Sequence, residues 1–242
     1  AARAAPPPGP PRRVRRPRRV RRPRRPCRGR RPCRVRLAQW LPPHREAAVE
    51  RGGHRPDHLA RVRTGRDLVV DQGIGGSLVL NDSAWYGERA TARFGRDAPG
   101  RPGVSTVVVL EGLNDIGFSG AKDRPTCKPS PLVSPVVFSA ELVAGYRKPI
   151  RAAHAEGLRA VGATLLPLAG SDPWGPHVAQ VSDEVNHWIR TSGEFDAYAD
   201  FDKALADPAD PDRLAPAYDH GDALHPNDAG YRLMAKTVAE VL

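Results

Sequence analysis

Cysteine is scarce: three in 242 residues, too few for a disulfide scaffold. Aromatic residues make up only 6% of the chain. No apolar run approaches the roughly 18–20 residues that a membrane-spanning helix needs, so no span is expected. Acidic side chains are missing from residues 1–36, which hold 16 arginines and nine prolines. Serine is missing from residues 1–76. What is present, a hydrophobic content of 40% over 242 residues, suffices for one sizeable core, and a single α/β domain is the first expectation.

The net charge of +11 belongs to one end of the chain. Residues 37–242 hold 22 of the 38 Lys and Arg against all 27 Asp and Glu, a net of −5. A basic balance points to polyanionic partners, but here that inference touches the head alone, and the body is not expected to bind nucleic acid. From Arg12 the head reads RRVRRP, RRVRRP, RRP, CRGRRP and CRVR. Proline removes helix donors and arginines repel one another, so a disordered or polyproline-like head over residues 1–45 is expected, with a globular domain over 46–242. No apolar stretch follows the arginines as a secretory leader would require. Cys27 and Cys33, without a histidine partner, fit no zinc spacing. Three readings of the head stand side by side: an arm that binds nucleic acid or another polyanion through phosphate contacts, a solvated linker, or the product of a shifted reading frame or misassigned start. Arg, Pro, Ala and Gly can all be coded by G and C alone, so a GC-rich stretch read out of frame yields this composition.

The body alternates strand and helix signals. DLVVDQGIGG (67–76) reads as a buried strand running into a turn, and VSTVVVLEGLND (104–115) as the strongest strand. SAELVAGYRKPIRAAHAEG (139–157) reads as a helix with Ser139 as N-cap and no closing capping box. LRAVGATLLPL (158–168) reads as a strand, HVAQVSDEVNHWIRTSG as a helix with Val178, Val181, Val185 and Trp188 on one face, FDAYADFD (195–202) as a weaker strand, and NDAGYRLMAKTVAEVL as a closing helix capped by Asn227 or Asp228. Such alternation predicts a right-handed α/β fold with a parallel sheet, in which ligands bind beyond the carboxyl ends of the strands.

Three short motifs stand at those ends. Gly73, Gly75 and Gly76 follow one strand; they serve a tight turn, or let a backbone N–H of Gly76 approach a substrate. Gly112, Asn114 and Asp115 follow the next; they suit an ordinary polar turn, or offer the Asn114 amide to a developing oxyanion. Asp222 and His225 precede the last helix; three residues apart, they suit a plain helix entry, or a carboxylate that fixes an imidazole tautomer. His154, His177 and His187 lie on helices or their approaches and read as surface or packing residues. His54 and His58 lack a third ligand, and no metal is expected there. Cys127 reads as incidental.

Taken together and in this order, the motifs resemble the GDSL/SGNH hydrolase family. The likeness runs over roughly residues 55–242 and extends to RPDHLA, VVVLEGLNDIGFSGA and DPADPDRLAPAYDHGDALHPNDAGYRLMA. It implies a three-layer α/β/α sandwich with a flavodoxin-like parallel sheet. It also implies ester hydrolysis through a Ser-His-Asp acyl-enzyme mechanism, with a small-molecule, carbohydrate or lipid ester as substrate and no metal or cofactor. In that scheme His225 is the base, Asp222 its orienting acid, and Asn114 and Gly76 form the oxyanion hole. Two departures follow. Asp71 stands where the family has Asn before its glycine turn. The GDS block that carries the nucleophile should end the first strand, upstream of RPDHLA, where this chain reads CRVRLAQWLPPHRE. The first strand is therefore expected to be absent or degraded, and no nucleophilic serine is identified. Ser77 belongs to the oxyanion turn and is not expected to replace it. As written, the chain is expected to be inactive or nearly so. The coding CGA CTC GCN for Arg36, Leu37 and Ala38, read from its second base, gives Asp-Ser. The rival expectation is a non-catalytic protein, either a polyanion binder acting through its arginine-rich arm or a carbohydrate-binding pseudoenzyme.

Overall fold

A run of valines ending in leucine, Val107–Leu110, fixes the centre of the fold. In the computed structural model, which describes residues 33–38, 61–64, 67–83, 86–101, 103–119 and 135–242, these residues lie in strand β4 (Val104–Leu110) and are buried on both faces. Val107 and Val109 pack with Phe94 of helix α1 (Ala90–Asp97), with Leu142, Tyr146 and Ile150 of α3 (Ser139–Ala155), and with Val178, Val181 and Val185 of α4 (Pro176–Thr191). Val108 and Leu110 face the other way, toward Phe201 and Leu205 of α5 (Phe201–Leu205) and Met234 and Val238 of α6 (Asp228–Val241). A strand apolar on both faces needs helices on both sides, and the three-layer α/β/α sandwich follows.

The sheet has six strands in the order β2-β3-β1-β4-β5-β6. These are β1 (Cys33–Ala38), β2 (Arg61–Thr64), β3 (Asp67–Asp71), β4, β5 (Arg159–Ala163) and β6 (Ala197–Ala199). All neighbours are parallel except the edge pair β2 and β3. Leaving that edge strand aside, the parallel strands run second, first, third, fourth, fifth, which is the flavodoxin-like order. A small hairpin, β7 (Ala206–Asp207) and β8 (Asp210–Leu214), follows α5. Among the described residues no helix is long and apolar enough to cross a membrane.

The first strand corrects one expectation. It is neither absent nor displaced: β1 lies between β3 and β4, pairing Val35 with Val70 and Ala38 with Leu110. Its sequence is poor for a central strand, yet Cys33, Val35 and Leu37 alternate with Arg34 and Arg36. An empty slot would leave facing rows of ladder groups on β3 and β4 unpaired. The boundary moves with it. Residues 33–38 of the expected head belong to the sheet, and the compact unit runs from Arg31 to Leu242. Residues 1–32 and 39–45 lie outside the described residues, as do Cys27, His54, His58 and Cys127.

Helix α3 also begins one residue earlier than the cap expected at Ser139. Phe138 is the N-cap, and its amide donates to the Glu141 carboxylate at 3.0 Å, half of a capping box. Ser139 instead donates its hydroxyl to Glu184. At α6 the expected cap stands: the Asn227 side chain accepts from Ala229 and Gly230. FDAYADFD is only a three-residue strand, because Asp200 caps α5 and ends it.

Candidate active site

The strand order reverses between β1 and β4, and a parallel sheet opens its ligand crevice at that point. Register brings three strand ends level there: Arg36 pairs with Asp71 of β3, and Ala38 pairs with Leu110 of β4. Residues 39–41, which follow β1, are Gln, Trp and Leu and carry neither hydroxyl nor thiol. They lie outside the described residues, so the expected nucleophile position is defined by the strand that leads to it.

The turn after β3 and the short helix α2 (Leu113–Gly117) after β4 are tied side by side. Gly76 adopts φ +77°, and a Cβ there would stand 2.3 Å from the Tyr86 ring. Gly112, at φ +102°, would meet the Tyr146 hydroxyl at 2.2 Å, and that hydroxyl donates to the Glu111 carbonyl at 2.6 Å. The Asn114 amide donates to the Ser77 carbonyl at 3.2 Å. Asp115, buried, accepts from the amides of Val79 at 2.8 and 3.1 Å and of Leu80 at 3.0 Å. Burial pushes its carboxyl up to about 6, against the pull of those amides. Gly76 and Asn114, proposed from sequence as oxyanion donors, thus come together on one framework. Asp71, in place of Asn, accepts from the Gly73 amide at 2.8 Å and shapes the same turn. Gly76→Ala is expected to cost about 1–3 kcal/mol, since both φ and the Tyr86 ring oppose a side chain. Denaturant unfolding of the variant checks this.

Asp222 and His225 also meet. The Asp222 carboxylate is bonded to the imidazole Nδ1, and it accepts from the His225 amide at 2.7 Å and the Leu224 amide at 3.1 Å. Burial alone would raise the Asp222 carboxyl, but the His225 amide and imidazole outweigh it and hold the group below the usual carboxylate range. An ionised carboxylate on Nδ1 leaves Nε2 as the basic nitrogen. Pro226, next to His225, shares one cavity wall with Asn114.

Other residues of the site carry signals that are faint in the sequence. Arg93 of α1 is 1% exposed and donates to the Gln72 carbonyl at 2.8 Å and to Asp97 at 3.0 Å, and it faces Glu111 at 3.7 Å. It spans the exits of β3 and β4. Glu111 is wholly buried; burial raises its carboxyl well above the ordinary value, Arg93 pulls it down, and Asp115 adds to the rise. An acid inside an apolar strand run was the one sequence sign of this pair. His154 bonds Asp196 at 3.0 Å and His177 bonds the Val137 carbonyl at 3.0 Å, both away from the site's motifs.

The sequence profile of the GDSL-like Lipase/Acylhydrolase family matches residues 37–233. No curated protein is significantly similar to the chain. Solved structures share the fold. A putative acylhydrolase from Bacteroides fragilis is 19% identical, with 72% of this chain and 73% of that one covered at a TM-score of 0.51. A GDSL-like lipase from Bacteroides thetaiotaomicron is 18% identical, with 72% and 74% covered at 0.51. A catalytic mutant of an acetylxylan esterase from Geobacillus stearothermophilus is 20% identical, with 72% and 71% covered at 0.52.

Proposed function

We propose that this chain, which belongs to the GDSL-like lipase/acylhydrolase family, carries the acid, base and oxyanion donors of a Ser-His-Asp ester hydrolase whose serine is missing from the sequence as written. The family's chemistry is ester hydrolysis, and the substrate class is a small-molecule ester. The observation that carries the finer reading is the Asp222–His225 pair, whose neighbour Pro226 lines one cavity with Asn114, the amide bonded to the Ser77 carbonyl.

In this scheme a serine hydroxyl at the carboxyl end of β1 attacks the ester carbonyl and passes its proton to Nε2 of His225. Asp222 stabilises the imidazolium. The oxyanion takes hydrogen bonds from the Asn114 side chain and the Gly76 backbone. Collapse expels the alcohol, which receives the proton from His225, and leaves an acyl-serine. Water, deprotonated by the same imidazole, then releases the carboxylic acid and regenerates the serine. The catalytic domain starts with β1, and the arginine-rich residues before it take no part in these steps.

A fluorophosphonate probe tests the reading. The chain as written is expected to show no labelled serine, because Ser77, the serine in the glycine turn, is buried. Peptide mapping that finds the label on Ser77 overturns this assignment. Sequencing the coding DNA across codons 1–60 tests the origin of the gap. A single inserted or deleted base that restores an apolar strand ending in Asp-Ser is the expected finding.

A further inference from the structure

The glycine turn after β3 has two limbs, and they are held by different means. On the outgoing limb, the Ala90 amide of α1 donates to the Leu78 carbonyl at 2.7 Å, and the Thr91 hydroxyl donates to the Val79 carbonyl at 2.9 Å. Asn114 and Asp115 hold the same limb from α2. The incoming limb is gripped at Gln72 by two arginines. Arg93 donates to the Gln72 backbone carbonyl at 2.8 Å, and Arg101 donates to its side-chain oxygen at 2.9 Å. Asp97 ties the arginines together, accepting from Arg93 on its carboxylate at 3.0 Å and from Arg101 on its carbonyl at 3.1 Å.

Arg93 also reaches the other arm of the site. Its Nη2 stands 3.7 Å from Oε1 of Glu111, and both residues are buried. Glu111 runs directly into Gly112 and α2, and the Tyr146 hydroxyl fixes its carbonyl. One guanidinium therefore lies between residue 72, four before Gly76, and residue 111, three before Asn114. As a source of stability the pair is poor. Nε and Nη2 of Arg93 and both Glu111 carboxyl oxygens make no hydrogen bond. A buried ion pair without such bonds does no better than apolar side chains of the same volume. What apolar side chains lack is the rigid planar fork, which binds the Gln72 carbonyl and faces Glu111 at once. The Gly76 N–H lies between the two limbs, so its direction depends on how both are held.

We propose that Arg93 is a positioning residue, which clamps the incoming limb against the exit of β4 and so aims the Gly76 N–H at the point that the Asn114 amide addresses. The inference rests on the reading of these two groups as oxyanion donors. Arg93 touches no reacting atom; its part is to fix donor geometry before substrate arrives.

The test uses the full chain, 15N-labelled and weakly aligned, so that N–H dipolar couplings report bond directions. Arg93→Met/Glu111→Leu removes both charges and strands neither, so its melting temperature is expected to stay close to that of the parent. Its Gly76 N–H coupling is nonetheless expected to depart from the parent value, while couplings along β4 and β5 keep theirs. Arg93→Lys keeps the charge without the fork, serves if the double variant fails to fold, and is expected to turn the same N–H. Methylphosphonate, a tetrahedral anion that needs no nucleophile, probes the donors. In the parent it is expected to shift the Gly76 and Asn114 side-chain amide signals saturably, and in either variant to bind about tenfold more weakly. Unchanged Gly76 couplings in a folded variant overturn the clamp, because a merely structural role lowers stability and leaves this direction alone. Full rescue by Lys also overturns it, since charge then suffices. The two readings fail separately. Methylphosphonate that moves neither signal in the parent removes the oxyanion role, whereas couplings that turn in the variants still show Arg93 setting the Gly76 direction.

Discussion

A coding sequence read one base out through codons 36–38, so that β1 ends in Asp-Ser, and returned to frame before Arg55, is expected to raise ester turnover about a thousand- to a million-fold over the chain as written. The size follows from how triads fail. Removing the nucleophile leaves only oxyanion donors and binding, which retain about 10³–10⁴ over water, while the intact set adds several further orders. The gain depends on where β1 ends. Ala38 pairs with Leu110, and Asn114 follows four residues beyond Leu110, so the end of β1 lies level with the strand end that leads into α2. Hydrolysis of p-nitrophenyl acetate measures it. His225→Ala in the restored chain is expected to abolish the gain, since members of a triad act as a unit. A restored chain that takes a fluorophosphonate label yet turns over equally well without His225 removes the imidazole from the scheme.

The second large effect is on stability. Asp115→Ala is expected to destabilise the fold by about 2–5 kcal/mol, because it strands the amides of Val79 and Leu80 inside the protein. Thermal unfolding reads this as a loss of several degrees. The effect depends on pH, and its sign is fixed. The Asp115 carboxyl titrates near 6 when folded against an ordinary 3.8. The folded chain therefore holds a proton that the unfolded chain loses between those values, and the stability Asp115 provides is greatest below about pH 4 and declines as pH rises through 6. The gap between the parent chain and Asp115→Ala is accordingly expected to narrow over that range, by up to about 3 kcal/mol. A gap that widens with pH shows that the carboxylate, and not the acid, is the form the fold favours.

Much of this protein is readable from short patterns, for identifiable reasons. Val107–Leu110 is apolar without alternation, which only a strand covered on both faces satisfies. Asn227 precedes an amphipathic run and caps it through two amides. Asp222 and His225 are three apart, and so local a pair survives any uncertainty in the rest of the fold. What stayed hidden was non-local. Nothing in LND marks Asp115 as the acceptor for amides 35 and 36 residues away. The Arg93 and Glu111 pair joins two segments that only the sheet brings together. β1 escaped for another reason: CRVRLA continues an arginine-rich repeat, and its role as a central strand comes from the two open edges beside it and not from its own propensity.

That placement of β1 bears on how the chain is made. The middle of the sheet is the first strand to leave the ribosome, yet both of its partners, Asp67–Asp71 and Val104–Leu110, are synthesised later. A nascent chain shorter than about β4 has no slot for β1 to enter, so this strand waits in solution. A strand that waits with two bare edges is prone to join another chain until β3 and β4 are made.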